Sequence, residues 1–141
     1  MPPTADDLLR HARIARAEHR LDDARRHYEE AVVSLRELGE PFRLAHTIRH
    51  LGDVLFEAGR AALAEPQYRE ALALYRRERD APRLDLANAI RSLAVLTEHG
   101  GNPEEASRLW AEAHDLYAEL GVSPGVSESA ARLERLQTRE E

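Results

Sequence analysis

The sequence predicts an all-α protein made of three antiparallel helix pairs followed by a single helix. Two observations support this prediction: a motif of small and aromatic residues recurs along the chain, and helix-breaking residues divide the chain at regular intervals. In the motif, an aromatic or bulky residue follows an alanine by four positions, and a second alanine follows by seven. The motif starts at Ala24, Ala64 and Ala106, at offsets of 40 and 42 residues. A period in this range is typical of repeat arrays, in which each unit buries its apolar face by stacking on the next.

Glycine and proline residues set the expected helix boundaries. Breaks between the pairs lie at 39–41, 80–82 and 121–124, and breaks within the pairs lie at 19–21, 59–60 and 100–103. The predicted pairs therefore span about 4–38, 42–78 and 83–120, and the last helix spans about 125–138. Because 141 residues is the size of one typical domain, we expect a single domain over 1–141.

Capping residues support two of the helix starts. Thr4, with Asp7 three residues later, resembles a capping box. Asn102, Pro103 and Glu105 fit the N-cap, first and third positions of a later helix. These signals place the start of the first helix near residue 4 and the start of the sixth near residue 103.

Small residues are expected where two helices cross, because they let the helix axes approach to about 8 Å. In the second helix of each pair, the alanines predicted to be buried are Ala24, Ala31, Ala64, Ala71, Ala106 and Ala113. Ala12, Gly52 and Ala94 lie opposite them in the first helices. Pro66 interrupts an apolar pattern, and we place it near the first turn of its helix, where its missing N–H costs no helical hydrogen bond.

The last predicted helix has an apolar side and a charged side. Val126, Ala130, Leu133 and Leu136 share the apolar side. Repeat arrays need a terminal element that covers the last apolar face and presents polar residues to water. We therefore expect residues 125–138 to cap the array.

Composition excludes several classes of function. The chain has no cysteine, so it has no disulfide or thiolate metal site, and this composition is compatible with the cytoplasm. No apolar stretch approaches the roughly 20 residues of a membrane span. The net charge of −6 argues against binding to nucleic acid or an anionic membrane. All 20 basic residues are arginine, so any anion site must use guanidinium groups.

The repeated residues resemble the tetratricopeptide repeat (TPR). The second repeat shows the pattern most fully, and its matching residues are Ile48, Leu51, Gly52, Leu55, Gly59, Ala64, Tyr68 and Ala71. The period of 40 to 42 residues resembles the long-helix variant of kinesin light chains and of many bacterial regulators. The resemblance implies a right-handed α-solenoid that binds proteins along a concave groove and is not an enzyme.

The sequence contains no catalytic motif and implies no cofactor. One weak metal candidate is formed by His46, His50 and Asp53, which recur at helical spacing on one helix face. Arg49 lies among them and would repel a cation. A module that senses a metal or a small anion at these residues is therefore the weakest of three functional hypotheses.

The TPR resemblance implies which residues of the first helices line the groove. In the first pair they are Leu9, Arg10, Arg13 and Arg16; in the second, His46, Arg49, His50, Asp53 and Phe56; in the third, Asn88, Arg91, Ser92 and Val95. This set holds five arginines and a single carboxylate. The leading hypothesis is that the groove binds an acidic or amphipathic segment of a partner protein, with apolar contacts at Leu9, Phe56 and Val95.

Two alternatives remain open from the sequence. The arginines could form a solvated surface without a ligand, or the chain could associate with itself as a structural homodimer. The lysine and asparagine clamp that some family members use for a peptide's terminal carboxylate is not matched. Leu9 replaces its first-repeat lysine and Arg13 the asparagine.

Overall fold

The structure, a computed structural model, describes residues 1–140, and over this range the chain folds into α-helices without any strand. The helices are α1 (Ala5–Ala17), α2 (Leu21–Leu38), α3 (Pro41–Glu57), α4 (Ala61–Arg77), α5 (Arg83–His99), α6 (Pro103–Leu120) and α7 (Ser123–Glu140). The predicted all-α class and the order of helices are confirmed, with boundaries within a few residues of those expected.

Neighbouring helices pack as antiparallel pairs. α1 packs on α2, α3 on α4 and α5 on α6, while α2 also contacts α3 and α7 packs on α6. The chain divides into two compact units, Met1–Arg79 with α1–α4 and Asp80–Glu141 with α5–α7. That the two units form one domain stays a prediction.

The predicted capping interactions are present. The Thr4 hydroxyl accepts a hydrogen bond from the Asp7 backbone N–H, and the Asp7 carboxylate accepts one from the Thr4 N–H, both at 3.1 Å. The Asn102 side chain accepts from the Glu105 N–H at 3.3 Å, with Pro103 as the first residue of α6. These caps satisfy N–H groups that have no partner inside their helices.

The expected position of Pro66 near the first helical turn is wrong. α4 starts at Ala61, so Pro66 lies in the second turn, where a residue with an N–H would bond to the Ala62 carbonyl. The helix nevertheless continues to Arg77, with Ala64 and Tyr68 buried on either side of the proline. The packing of α4 against α3 thus outweighs the loss of one backbone hydrogen bond.

The crossing positions are occupied as predicted. All six motif alanines and both Ala12 and Ala94 are fully buried. At Gly52, an added Cβ would lie 2.7 Å from Cε1 of Tyr68, closer than any real carbon contact. Gly52 is therefore required for the close approach of α3 and α4.

The capping helix buries a different set of residues from the one expected. Leu136 is buried and Val126 and Leu133 are half-buried, but Ala130 is exposed and Ser129 takes its place in the interior. The Ser129 hydroxyl donates to the Gly125 carbonyl at 2.6 Å, so burying it leaves no polar group unsatisfied. The apolar pattern missed Ser129 because a serine that bonds to its own helix behaves as a small core residue.

Candidate binding cleft

A cleft of about 440 Å³ lies in the first unit, among α1, α2 and α3. Its walls are formed by Leu9, Arg13, Arg16, Ala17, Tyr28, His46, His50 and Glu57. The structure thus brings together five of the predicted groove residues and adds three that were not predicted: Ala17, Tyr28 and Glu57. We call this site the α1–α3 cleft.

The two arginines of the cleft differ in their partners. Arg16 pairs with Glu57, the last residue of α3: Nε donates to Oε1 at 3.1 Å, and Nη2 donates to the same oxygen. Hydrogen bonding to Glu57 raises the pKa of Arg16 further above its ordinary value. Arg13, one turn earlier on α1, is exposed and has no carboxylate within ion-pair distance among the described side chains. Arg13 is therefore the cationic group that the cleft leaves available.

Behind His50, a polar cluster extends into the contact between α3 and α4. The Tyr68 hydroxyl donates to Asp53 Oδ1 at 2.5 Å. Asp53 Oδ2 lies 3.7 Å from Nη1 of Arg49 and 3.6 Å from Nδ1 of His50. The Arg49 side chain is only 14% exposed, and its buried Nε has no hydrogen-bond partner among the described residues. Arg49, expected to line the groove, thus lies mostly beneath it.

Burial controls the protonation of this cluster. Desolvation, followed by the positive charges of Arg49 and other neighbouring residues, lowers the pKa of His50 to about 3, so this imidazole is neutral near pH 7. Burial also raises the pKa of Asp53, although the Tyr68 hydrogen bond opposes the change. Desolvation and the nearby Asp53 raise the pKa of Tyr68. The neutral His50 therefore adds no positive charge to the cleft.

The residues proposed as a weak metal site do not converge as ligands. His46 and His50 stack edge to face with ring centroids 4.5 Å apart, and His50 Nδ1 lies 3.4 Å from Nη1 of Arg16. Within the part of the chain that the structure describes, no three histidine, aspartate or glutamate side chains are placed to hold a metal ion. A metal-sensing function gains no support from this arrangement.

The remaining predicted groove residues lie in other surroundings. Arg91, in the second unit, forms two hydrogen bonds with Glu128 of α7, from Nε at 2.5 Å and from Nη2 at 2.8 Å. Asn88 accepts a hydrogen bond from the Tyr117 hydroxyl at 2.6 Å. Ser92 is buried, Phe56 and Val95 are half-buried, and the exposed Arg10 pairs with Asp7 at 2.9 Å.

Glu57 and Glu128 are two carboxylates beside predicted groove arginines that the sequence analysis missed. Each neutralises an arginine expected to be available, so the positive charge of the predicted groove is smaller than a count of groove positions indicates. The repeat pattern gave no signal for Glu57, since Ala17 and His99 occupy the equivalent positions of the other repeats. Arg16 and Glu57 lie 41 residues apart on different helices, so their pairing is visible only in the folded structure.

The tetratricopeptide repeat family matches two overlapping segments of the sequence, residues 5–77 and 43–119. The chain belongs to the tetratricopeptide repeat family. The structure agrees with that match, since it buries the motif alanines, brings α3 and α4 close at Gly52 and packs the helices in pairs. Proteins of this family generally act as protein–protein interaction modules and are typically not catalytic.

The fold is shared with a solved structure, that of BtubC (BKLC) from P. vanneervenii. The two sequences are 18% identical, the alignment covers 96% of this chain and 64% of that one, and the TM-score is 0.66. This chain thus spans less than two thirds of that protein's length, and the likeness concerns the fold. A search of curated proteins finds no match to the sequence. Over residues 1–140, none of the helices has the length and apolar character needed to cross a membrane.

Proposed function

We propose that this TPR chain is a non-enzymatic module whose α1–α3 cleft binds an acidic, partly apolar segment of a partner protein. The observation that supports this most directly is Arg13, an exposed guanidinium at the cleft with no carboxylate partner among the described residues. A carboxylate of the partner segment would form charge-assisted hydrogen bonds with it, which are stronger than hydrogen bonds between neutral groups. The proposed setting is the cytoplasm, with which the absence of cysteine is compatible.

Apolar and aromatic groups of the cleft complement this charge. Leu9, Ala17 and the ring of Tyr28 lie in the same walls as Arg13 and Arg16. In protein interfaces, buried apolar anchors contribute most of the affinity, while charged pairs mainly set the association rate and specificity. An alternating acidic and apolar segment therefore fits the cleft better than a purely acidic one.

The wider groove predicted from the sequence stays a prediction. Its outer members are Phe56, Asn88, Arg91 and Val95, and Arg91 already holds Glu128. The cleft, with its unpaired Arg13, is the more specific part of the proposal, and we direct the test at it.

Fluorescence anisotropy with a labelled peptide of alternating glutamate and leucine tests the proposal. We expect Arg13→Gln to weaken binding by about twofold to fivefold, the range for loss of an exposed charge pair. Arg77→Gln is the matched control: it removes the same charge from an exposed helical position outside the cleft walls. Binding should also weaken as salt rises, because the Debye length falls from about 10 Å at 0.1 M to about 3 Å at 1 M.

Two results would contradict the proposal. One is equal binding of a peptide in which glutamine replaces each glutamate. The other is an equal effect of Arg13→Gln and Arg77→Gln. Either would show that the acidic groups do not bind in the cleft.

Self-association is the second candidate function. Val33 and Leu38 of α2 are 59% and 60% exposed, so both side chains are accessible to a second copy of the chain. Sedimentation velocity over a wide range of protein concentration measures this directly. A dimer that Val33→Ser and Leu38→Ser both weaken would favour the structural role, whereas a monomer at all concentrations would exclude it.

A further inference from the structure

The Arg16–Glu57 pair places a carboxylate of this chain in the α1–α3 cleft, beside the arginine that is available to a partner. Glu57 approaches Arg16 with both oxygens, at 3.1 Å and 3.4 Å from Nε. The opposite nitrogen of the same guanidinium, Nη1, lies 3.4 Å from Nδ1 of His50. Both edges of Arg16 are therefore occupied, while Arg13 has no such partner among the described residues.

The pair is accessible to a competing anion. The side chains of Arg16 and Glu57 are 29% and 38% exposed, so water reaches both. Glu57 ends α3, and Arg16 is its only hydrogen-bond donor among the described residues. A partly exposed ion pair of this kind is weak, so a partner carboxylate can compete with Glu57 for Arg16.

We propose that Glu57 is a specificity-determining residue of the cleft, an inference that rests on the proposed function. It occupies Arg16 as an internal carboxylate, so the cleft accepts one acidic side chain at Arg13 and disfavours a second one directly beside it. That second carboxylate would have to displace Glu57 or lie close to its negative charge, and like charges at short distance repel. The partner class that fits is a segment with separated acidic residues.

Two peptide probes of equal composition separate charge from arrangement. The separated probe is the alternating glutamate and leucine peptide, and the paired probe has the same residues with its glutamates in adjacent pairs. We expect the wild-type chain to prefer the separated probe. Glu57→Gln should bind the paired probe about twofold to fivefold more tightly and lose this preference, because Arg16 becomes available.

Glu70→Gln is the matched control. Glu70 pairs with Arg36 at 2.7 Å, at similar exposure and also between two helices of the first unit, but lies outside the cleft walls. It removes the same negative charge and should leave the preference between the probes unchanged. The double variant Arg16→Gln with Glu57→Gln should lose the gain of Glu57→Gln, which ties that gain to Arg16.

The outcomes distinguish this inference from the proposed function. If neither probe binds the wild-type chain, the proposed function fails. If the separated probe binds and Arg13→Gln weakens it, but Glu57→Gln and Glu70→Gln behave alike with both probes, the role of Glu57 is overturned and the proposed function stands. Tighter binding of the paired probe that persists in the double variant also overturns the role of Glu57.

Discussion

The first unit leaves an arginine of its first helix available beside an open cleft, whereas both arginines of the second unit's first helix pair with carboxylates of other helices. Arg13 has no carboxylate partner among the described residues. In the second unit, Arg91 pairs with Glu128, and Arg132 and Arg135 both pair with Glu98. The number of arginines on a helix face therefore does not determine the charge available to a ligand. The carboxylates of other helices that reach these arginines decide it.

Each unit has one largely buried carboxylate, and the two differ in the hydrogen bonds that they accept. Asp53 in the first unit accepts one short hydrogen bond, from Tyr68, and burial raises its pKa. Burial opposes the ionisation of Glu98 in the second unit, but hydrogen bonds from Arg135, Trp110 and Arg132 outweigh it and lower the pKa. Glu98, at 9% side-chain exposure, is thus a well-satisfied junction between α5, α6 and α7. Two ion pairs thus join it to α7.

The largest expected effect concerns the aromatic residue of the motif. Trp110 is fully buried, donates to Glu98 at 3.0 Å and lies under Arg132, 5.2 Å from its guanidinium carbon. Trp110→Ala should lower the free energy of unfolding by about 3–5 kcal/mol, the usual range for a deleted core aromatic. Urea denaturation followed by circular dichroism measures the loss.

Tyr28→Ala, at the equivalent position of the first repeat, is the comparison for Trp110→Ala. Tyr28 already borders the α1–α3 cleft, so the space left by its ring joins an open, water-accessible volume. We expect its cost to be clearly smaller than that of Trp110→Ala. Equal losses in the free energy of unfolding would show that opening into the cleft does not lower the cost of the cavity left by the ring.

The second effect is the loss of stability when either of two tyrosine hydrogen bonds is removed. Tyr68 donates to the Asp53 carboxylate in the first unit, and Tyr117 donates to the Asn88 amide in the second. Tyr68→Phe should cost about 1.5–3 kcal/mol, the range for a bond to a charged group, and Tyr117→Phe about 0.5–1.5 kcal/mol. Paired urea titrations at neutral pH decide the order. A larger loss for Tyr117→Phe would show that Asp53 is satisfied without the phenol.

The third effect concerns a glycine of the capping helix. A Cβ on Gly125 would lie 2.6 Å from both Cδ atoms of the Tyr117 ring, which is fixed in the α6–α7 contact. Gly125→Ala should therefore destabilise the chain by about 1–2 kcal/mol, because the overpacking exceeds the gain in helix propensity.

Gly100→Ala is the control for Gly125→Ala in the same unit. Gly100 has an ordinary helical backbone, and its added Cβ would meet no atom closer than 3.4 Å. We expect a change of zero to about 1 kcal/mol in the stabilising direction. Melting temperatures of the two variants that shift in the same direction would contradict the close packing of α7 on α6.

The fourth effect is the pH dependence of stability that His50 contributes in the first unit. The pKa of His50 is about 3 in the folded chain, below its ordinary value of 6.5, so between these values only the unfolded chain binds the proton. Stability from this residue is complete above about pH 6.5 and is lost as the pH falls, by about 1–2 kcal/mol at pH 5. The raised pKa of Asp53 makes a contribution of opposite sign, so the difference between wild type and His50→Gln isolates the imidazole.

Urea titrations from about pH 7.5 to about pH 4.5, a range that spans the ordinary pKa of histidine, test this dependence. The loss of stability on acidification should be smaller in His50→Gln than in wild type. Parallel curves for wild type and His50→Gln would show that folding does not lower the pKa of His50.

The amino-acid sequence alone predicted the fold class, the helix boundaries and most of the interior. It did so because these depend on local and periodic signals: Thr4 and Asn102 cap helices through neighbouring N–H groups, and the motif alanines recur wherever two helices must cross. Such signals act within a few turns of one helix or repeat with every unit. The same periodicity misplaced Ser129, because a hydroxyl bonded to its own helix cannot be recognised from hydropathy.

The packing of the helices sets which charges are available to a ligand. Glu57 and Glu128 lie 41 and 37 residues from the arginines that they neutralise, and no periodic pattern predicts these pairings. Arg49 and Arg91 occupy equivalent repeat positions, yet one lies beneath the surface beside Asp53 and the other binds α7. Electrostatic availability depends on distances between side chains of different helices, and these distances exist only once the helices have packed.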